Sequence, residues 1–66
     1  MTRFEIPDMT CGHCVKTVTE AVRSVDPVAQ VQADLATHSI GVISNANAMS
    51  LSAAITAAGY RNTPSA

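Results

Sequence analysis

Two amphipathic stripes at helical spacing, each flanked by short alternating segments, strongly restrict how a chain of 66 residues can fold. The first stripe is Val15, Val18, Val22 and Val25, with Ala21 filling it; the opposite face carries Lys16, Thr17, Glu20 and Arg23. Apolar residues at this period mark one buried helix face. Pro27 closes this helix, because the residue before a proline avoids helical angles. The second stripe is Leu51, Ala54, Ile55 and Ala58, an i, i+3, i+4, i+7 set. Asn45 or Asn47 can cap its start, and Gly59 stands where a C-cap glycine belongs. Met49 is expected in the core or at the helix rim.

The remaining segments read as strands. Phe4 and Ile6 alternate with Arg3 and Glu5 until Pro7 and Asp8 end the run. Val31, Ala33 and Leu35 share one face of a second strand, with Gln30, Gln32 and Asp34 on the other. Ala36 to His38 make a turn, and Ile40 and Val42 then point inward on a third strand, with Gly41 and Ile43 outward. Tyr60 to Thr63 form a short fourth strand, which Pro64 stops. Both helices need a surface to cover, and a four-stranded antiparallel sheet with both helices on one face supplies it. The class is α+β, and residues 1–66 form a single domain with no visible linker. So short a chain buries only about 60 % of its unfolded surface, so the core is thin.

Charge and composition exclude several functions. A net charge of −1 gives no electrostatic footprint for nucleic acid. Phe4 and Tyr60 are the only aromatic residues, too few for a base-stacking platform. No apolar run reaches the length of a membrane span. The N-terminal residues do not read as a signal peptide, so a cytoplasmic location is expected. There the two cysteines would be kept as thiols.

The chemistry is concentrated in Met9-Thr10-Cys11-Gly12-His13-Cys14. Two thiols three positions apart, one in a loop and one at a helix start, can point at a single centre. With metal–sulfur bonds of ~2.3 Å, a two-coordinate ion needs sulfurs roughly 4–5 Å apart. The helix N-terminus favours thiolate, most of all at Cys14. Thiolates suit soft ions such as Cu(I). A closed zinc site wants four ligands; His38 lies in a distant turn and His13 is squeezed between the cysteines, so no such site is expected within one chain.

At Met9-Thr10-Cys11-Gly12-His13-Cys14-Val15, followed by Val18, Ala21, Val22 and Val25 and later by Ala58-Gly59-Tyr60, the chain resembles the heavy-metal-associated domain, and within it the bacterial copper chaperones. The resemblance runs from about Arg3 to about Arg61. It implies a ferredoxin-like βαββαβ fold, Cu(I) held by Cys11 and Cys14, and delivery of copper to a copper-transporting P-type ATPase. It also implies that Met9 is a buried support for the loop and that Tyr60 lies near the metal. Asp8 stands where a glycine usually precedes the methionine, and Asp26-Pro27 replaces the usual glycine turn. Thr10 occupies a position where zinc-preferring relatives often carry aspartate, which favours Cu(I). Mercury-binding relatives usually carry a secretion signal.

Other readings stay open beside this one. The same fold could carry Zn(II), Cd(II) or Hg(II). Cys-Gly-His-Cys is also the thiol pair of disulfide isomerases, a thiol-disulfide oxidoreductase reading that predicts a thioredoxin fold and a tryptophan before the first cysteine; this chain has no tryptophan. His13 reads as solvent-facing, with two alternatives: a tuner of thiolate pKa, or a ligand in a copper-bridged homodimer. Tyr60 divides between packing on the second helix and shielding the metal from water. His38 reads as a plain turn residue. Lys16 and Arg23 lie on one helical face, a solvated face by default and a docking patch for an acidic partner as the sharper reading.

Overall fold

The computed structural model describes residues 2–65; Met1 and Ala66, the ends of the expected domain, lie outside the described residues. The elements run β1 (Thr2–Glu5), α1 (Gly12–Val25), β2 (Gln30–Asp34), β3 (Ser39–Ile43), α2 (Ala48–Ala57) and β4 (Thr63–Ser65). One sheet has the strand order β2-β3-β1-β4 with every pairing antiparallel. This is the expected ferredoxin-like βαββαβ arrangement.

Register follows from which side chains must be buried. Phe4 pairs with Ile40 and Thr2 with Val42, which puts Phe4, Ile40 and Val42 on the face under the helices. Val18 and Val22 of α1, Leu51 and Ile55 of α2, and Ile6, Met9 and Ala29 from the loops complete one core cluster. No polar side chain is buried among the described residues. Each large apolar side chain so buried contributes about 1.5–3 kcal/mol, which makes each of them count in a core this small.

The helix ends are held by local chemistry. Asn47, rather than Asn45, caps α2: its side chain accepts from Ser50 N–H at 2.8 Å. Asp26 follows α1 and accepts from Val28 N–H at 3.2 Å and from the Ser44 hydroxyl at 2.5 Å, pinning the end of α1 to the end of β3. The Ser44 hydroxyl is the main reason that the Asp26 carboxyl titrates below its ordinary value. At the other end of α2, Gly59 has φ +98°, a left-handed conformation that favours glycine. Gly59 N–H donates to Thr56 C=O at 2.9 Å and Tyr60 N–H to Ile55 C=O at 3.2 Å, the paired bonds of a Schellman cap.

Several expectations are corrected. The last strand is Thr63–Ser65, not Tyr60–Thr63, and Pro64 lies inside it opposite Phe4. An edge strand tolerates this, because one of its sides has no ladder for the missing N–H to interrupt. Ala33 is exposed although its strand face is the inner one, because β2 is the other edge of the sheet, and Leu35, expected on that strand, lies past its end in the exposed turn. Val25 and Ala58 end their stripes exposed, and Met49 projects into solvent instead of joining the core or rim.

The two glycines beside the functional loops should differ in their response to alanine. Gly12 has open space where a Cβ would stand and no left-handed backbone, whereas Gly59 is left-handed. Denaturant unfolding should show Gly59→Ala less stable by about 1–2 kcal/mol and Gly12→Ala within about 0.5 kcal/mol of wild type.

Candidate metal centre

The site grows out of the junction between β1 and α1. After β1, Ile6 C=O accepts from Met9 N–H at 3.0 Å, closing a turn over Pro7 and Asp8. Met9 then enters the core, where it is fully buried. Thr10 and Cys11 follow in the open, and Cys11 is the N-cap of α1. A serine or aspartate there would spend its side chain on the helix. Cys11 makes no such bond, so its thiol stays free for another partner. Cys14 sits in the first turn, half-buried against the core.

The two sulfurs are 3.4 Å apart. That is closer than the roughly 4–5 Å of a two-coordinate metal, so the thiols share a hydrogen, and a bound ion requires them to part by about 1 Å. Cys11 is exposed, which leaves its side chain room to do so. The Cys14 thiol is lowered from 9.0 to about 6. The Tyr60 hydroxyl is the leading cause, followed by hydrogen bonding from the Thr10 backbone and from Cys11. In turn the neighbouring thiolate raises the Tyr60 phenol above its ordinary value. Tyr60 also packs on the core, so packing and facing the thiol are not exclusive roles. The Schellman cap of α2 and the half-buried Asn62 deliver it. Asn62 accepts from the Ser52 hydroxyl at 2.5 Å and donates to the carbonyls of Ser52 and Tyr60 at 3.2 Å.

His13 is exposed, with its backbone carbonyl bonded by the Thr17 hydroxyl at 3.1 Å. The structure does not leave His38 as a plain or distant turn residue: its ring Nδ1 lies 2.9 Å from the Met9 carbonyl. Asp8 pairs with Arg61 at 3.3 Å, joining the loop before Cys11 to the loop that carries Tyr60. The Arg61 guanidinium holds the Asp8 carboxyl below its usual range, and Asp8 raises Arg61. Both groups are well exposed, so the pair aligns two loops more than it stabilises the fold. His38, Asn62 and the Asp8–Arg61 pair were not legible as parts of one site. Their contacts span 29, 10 and 53 positions, and only the closed fold creates them.

Among the described residues no cluster of three or more His, Cys, Asp or Glu side chains could hold a metal. The two adjacent thiols alone could offer a metal two donors, a number suited to a soft ion of low coordination number and short of the four ligands of a closed zinc site. No helix among them is long and apolar enough to cross a membrane.

Residues 3–61 match the family model of the heavy-metal-associated domain, and the chain belongs to that family. Its fold is shared with a gold binding protein, at 34 % identity and a TM-score of 0.93, over 98 % of this chain and 100 % of that one. A copper chaperone, Atx1 from Synechocystis PCC6803 (a His61Tyr mutant), is 33 % identical, with a TM-score of 0.89 over 92 % of this chain and 97 % of that one. The N-terminal domain of PacS from the same organism is 25 % identical, with a TM-score of 0.82 over 100 % and 98 %.

Two measurements on the metal-free, reduced protein test the Tyr60 contact. Alkylation of Cys14 by iodoacetamide, followed by mass spectrometry, should show a midpoint near pH 6 that moves towards 9 in Tyr60→Phe. A depressed thiol pKa contributes stability that is complete above the unfolded value of about 9 and disappears as pH falls through about 6. The stability difference between wild type and Cys14→Ser should accordingly widen from pH 6 to pH 9.

Proposed function

We propose that this protein is a cytoplasmic metallochaperone that binds one Cu(I) ion through Cys11 and Cys14 and hands it to a copper-transporting P-type ATPase, at that protein's cytosolic metal-binding domain. The observation that supports this most is the pair of sulfurs 3.4 Å apart at an exposed helix start, with no group of three or more His, Cys, Asp or Glu side chains able to hold a metal among the described residues. Two thiolates meet the needs of Cu(I) and leave its coordination open to a further ligand.

The residues then have separate tasks. Loading displaces the Cys11 proton, while Cys14, lowered to about 6, is mostly thiolate at neutral pH. Exposed Cys11 is the reachable ligand, while half-buried Cys14 is held by Tyr60 and the loop backbone. A thiolate of the partner adds to the ion, giving a three-coordinate bridge. Cys11 then leaves, a second thiolate of the partner adds, and Cys14 leaves, so the ion never falls below two ligands and keeps its oxidation state throughout. No substrate bond is broken, so the protein carries an ion and is not an enzyme. Lys16, exposed two positions after Cys14, offers a positive contact to an acidic partner surface. A copper-bridged homodimer would use the same exposed thiol in place of the partner's. The similarity to a gold binding protein supports one second reading, in which the same two thiolates hold Au(I), another soft ion.

Anaerobic titration of the reduced protein against a chromophoric Cu(I) chelator tests the proposal, with Zn(II), Au(I) and the Cys11→Ala/Cys14→Ala variant run in parallel. Tight one-to-one Cu(I) binding is expected, with zinc far weaker and binding lost in the double variant. Cu(I) should raise the Tm of wild type and not of the variant, by about 2.7 kcal/mol of stability at 100 times Kd. Zinc bound ahead of copper, or binding that survives without the cysteines, would sink the reading. Disulfide exchange with a model substrate would instead favour the redox alternative, which the antiparallel sheet already disfavours.

A further inference from the structure

We infer that His38, in the turn between β2 and β3, is a positioning residue that fixes the loop carrying the two thiols. Its backbone and its ring both reach that loop. The His38 carbonyl accepts from Ile6 N–H at 2.6 Å. Its ring Nδ1 lies 2.9 Å from the carbonyl of Met9, and because a carbonyl can only accept, Nδ1 carries the proton and donates. The two bonds bracket the Ile6–Met9 turn, and Cys11 follows two residues later.

The demands of its own turn do not account for this residue. His38 has φ +52°, in the left-handed region. Glycine holds that conformation without strain, and asparagine and aspartate hold it readily. Asp34 already supports the turn, accepting from the N–H of Ala36 at 2.9 Å and of Thr37 at 3.4 Å. What histidine adds over glycine is a ring donor reaching a carbonyl 29 positions away. The left-handed backbone aims the ring at Met9, and the ring bond in turn favours that backbone.

Met9 is locked in the core by its side chain, but burial of a flexible side chain does not fix the orientation of its peptide group. The Met9 carbonyl belongs to the peptide unit that contains the Thr10 N–H, and Cys11 is the next residue in the chain. Fixing that carbonyl therefore also fixes the plane of the Thr10 amide. His38 acts on the metal loop through this single peptide and touches neither cysteine among its hydrogen bonds.

The metal half of this inference rests on the proposed Cu(I) site, while the loop half does not, and two substitutions separate them. His38→Gly keeps the left-handed turn and removes the ring. His38→Asn keeps the turn and places a side-chain N–H donor near the position of Nδ1. In metal-free protein, Tm should stay close to wild type for both. Amide hydrogen exchange at Thr10 and Cys11 should accelerate in His38→Gly and return towards wild type in His38→Asn. In the chelator competition, His38→Gly should lose about two- to tenfold in Cu(I) affinity, the scale of one hydrogen bond, with His38→Asn recovering most of it. Wild-type loop exchange in folded His38→Gly overturns the inference, whatever the metal data show. So does a loosened loop with unchanged Cu(I) affinity, or failure of His38→Asn to recover either readout. If wild type itself binds no Cu(I), the metal reading fails, and the loop exchange still decides whether His38 positions the loop.

Discussion

The burial of Met9 is the constraint on which the site depends. A pair of thiols at the protein surface has little packing of its own to hold it, and the described residues include only ten buried apolar side chains with which to hold anything. Met9 is one of them, fully buried, and Cys11 follows it two positions later. At ~3.3–3.6 Å per residue, the first sulfur's backbone can stray no more than about 7 Å from a point fixed in the core. On the other side, Val18 is buried four residues after Cys14. The thiol loop is thus strung between two core anchors. Removing the Met9 side chain would cost about 2–5 kcal/mol, a large fraction of the 5–15 kcal/mol typical of a whole domain.

Most of the architecture was legible because it rests on periodicity. The valine stripe of α1, the Leu51/Ile55 stripe of α2 and the alternation around Phe4, Ile40 and Val42 each announce a face that needs covering. The capping residues were legible for the same local reason, Asn47 by its side chain and Gly59 by its conformational freedom. Errors collected at the edges. Ala33, Leu35 and Met49 sit in patterns that read as inward-facing, but no local signal states how far the helices extend over the sheet. Pro64 reads as a strand breaker until β4 is known to be an edge.

The candidate centre divides in the same way. Cys11 and Cys14 stood out as a candidate pair from their spacing and the family resemblance, and Tyr60 from the resemblance. The groups that orient them were not, because each acts across the fold: His38 on the Met9 carbonyl, Arg61 on Asp8, Asn62 on the end of α2. A turn histidine, a surface arginine and a loop asparagine carry no signal of their own. Asp8 shows the point well. As a replacement for a glycine it suggested an altered loop, and in the fold it is one half of a clasp between the two loops around the thiols.

An ion carrier must hold its cargo against loss and still release it to a partner, and on the proposed reading these demands fall on different cysteines. Cys14 has the core, the Tyr60 hydroxyl and the Thr10 backbone around it, all favouring a thiolate that stays in place. Cys11 is exposed and makes no capping bond, so nothing but its neighbour's sulfur occupies it. Retention then comes from the structured ligand and exchange from the free one. A partner that approaches the exposed sulfur need not unfold any part of the loop, since the bonds fixing it run to Ile6, Asp8 and Met9, all before Cys11 in the chain. Transfer at such a site is a change of ligands on an otherwise rigid base, which suits a domain whose small core leaves little stability to spare for larger motions.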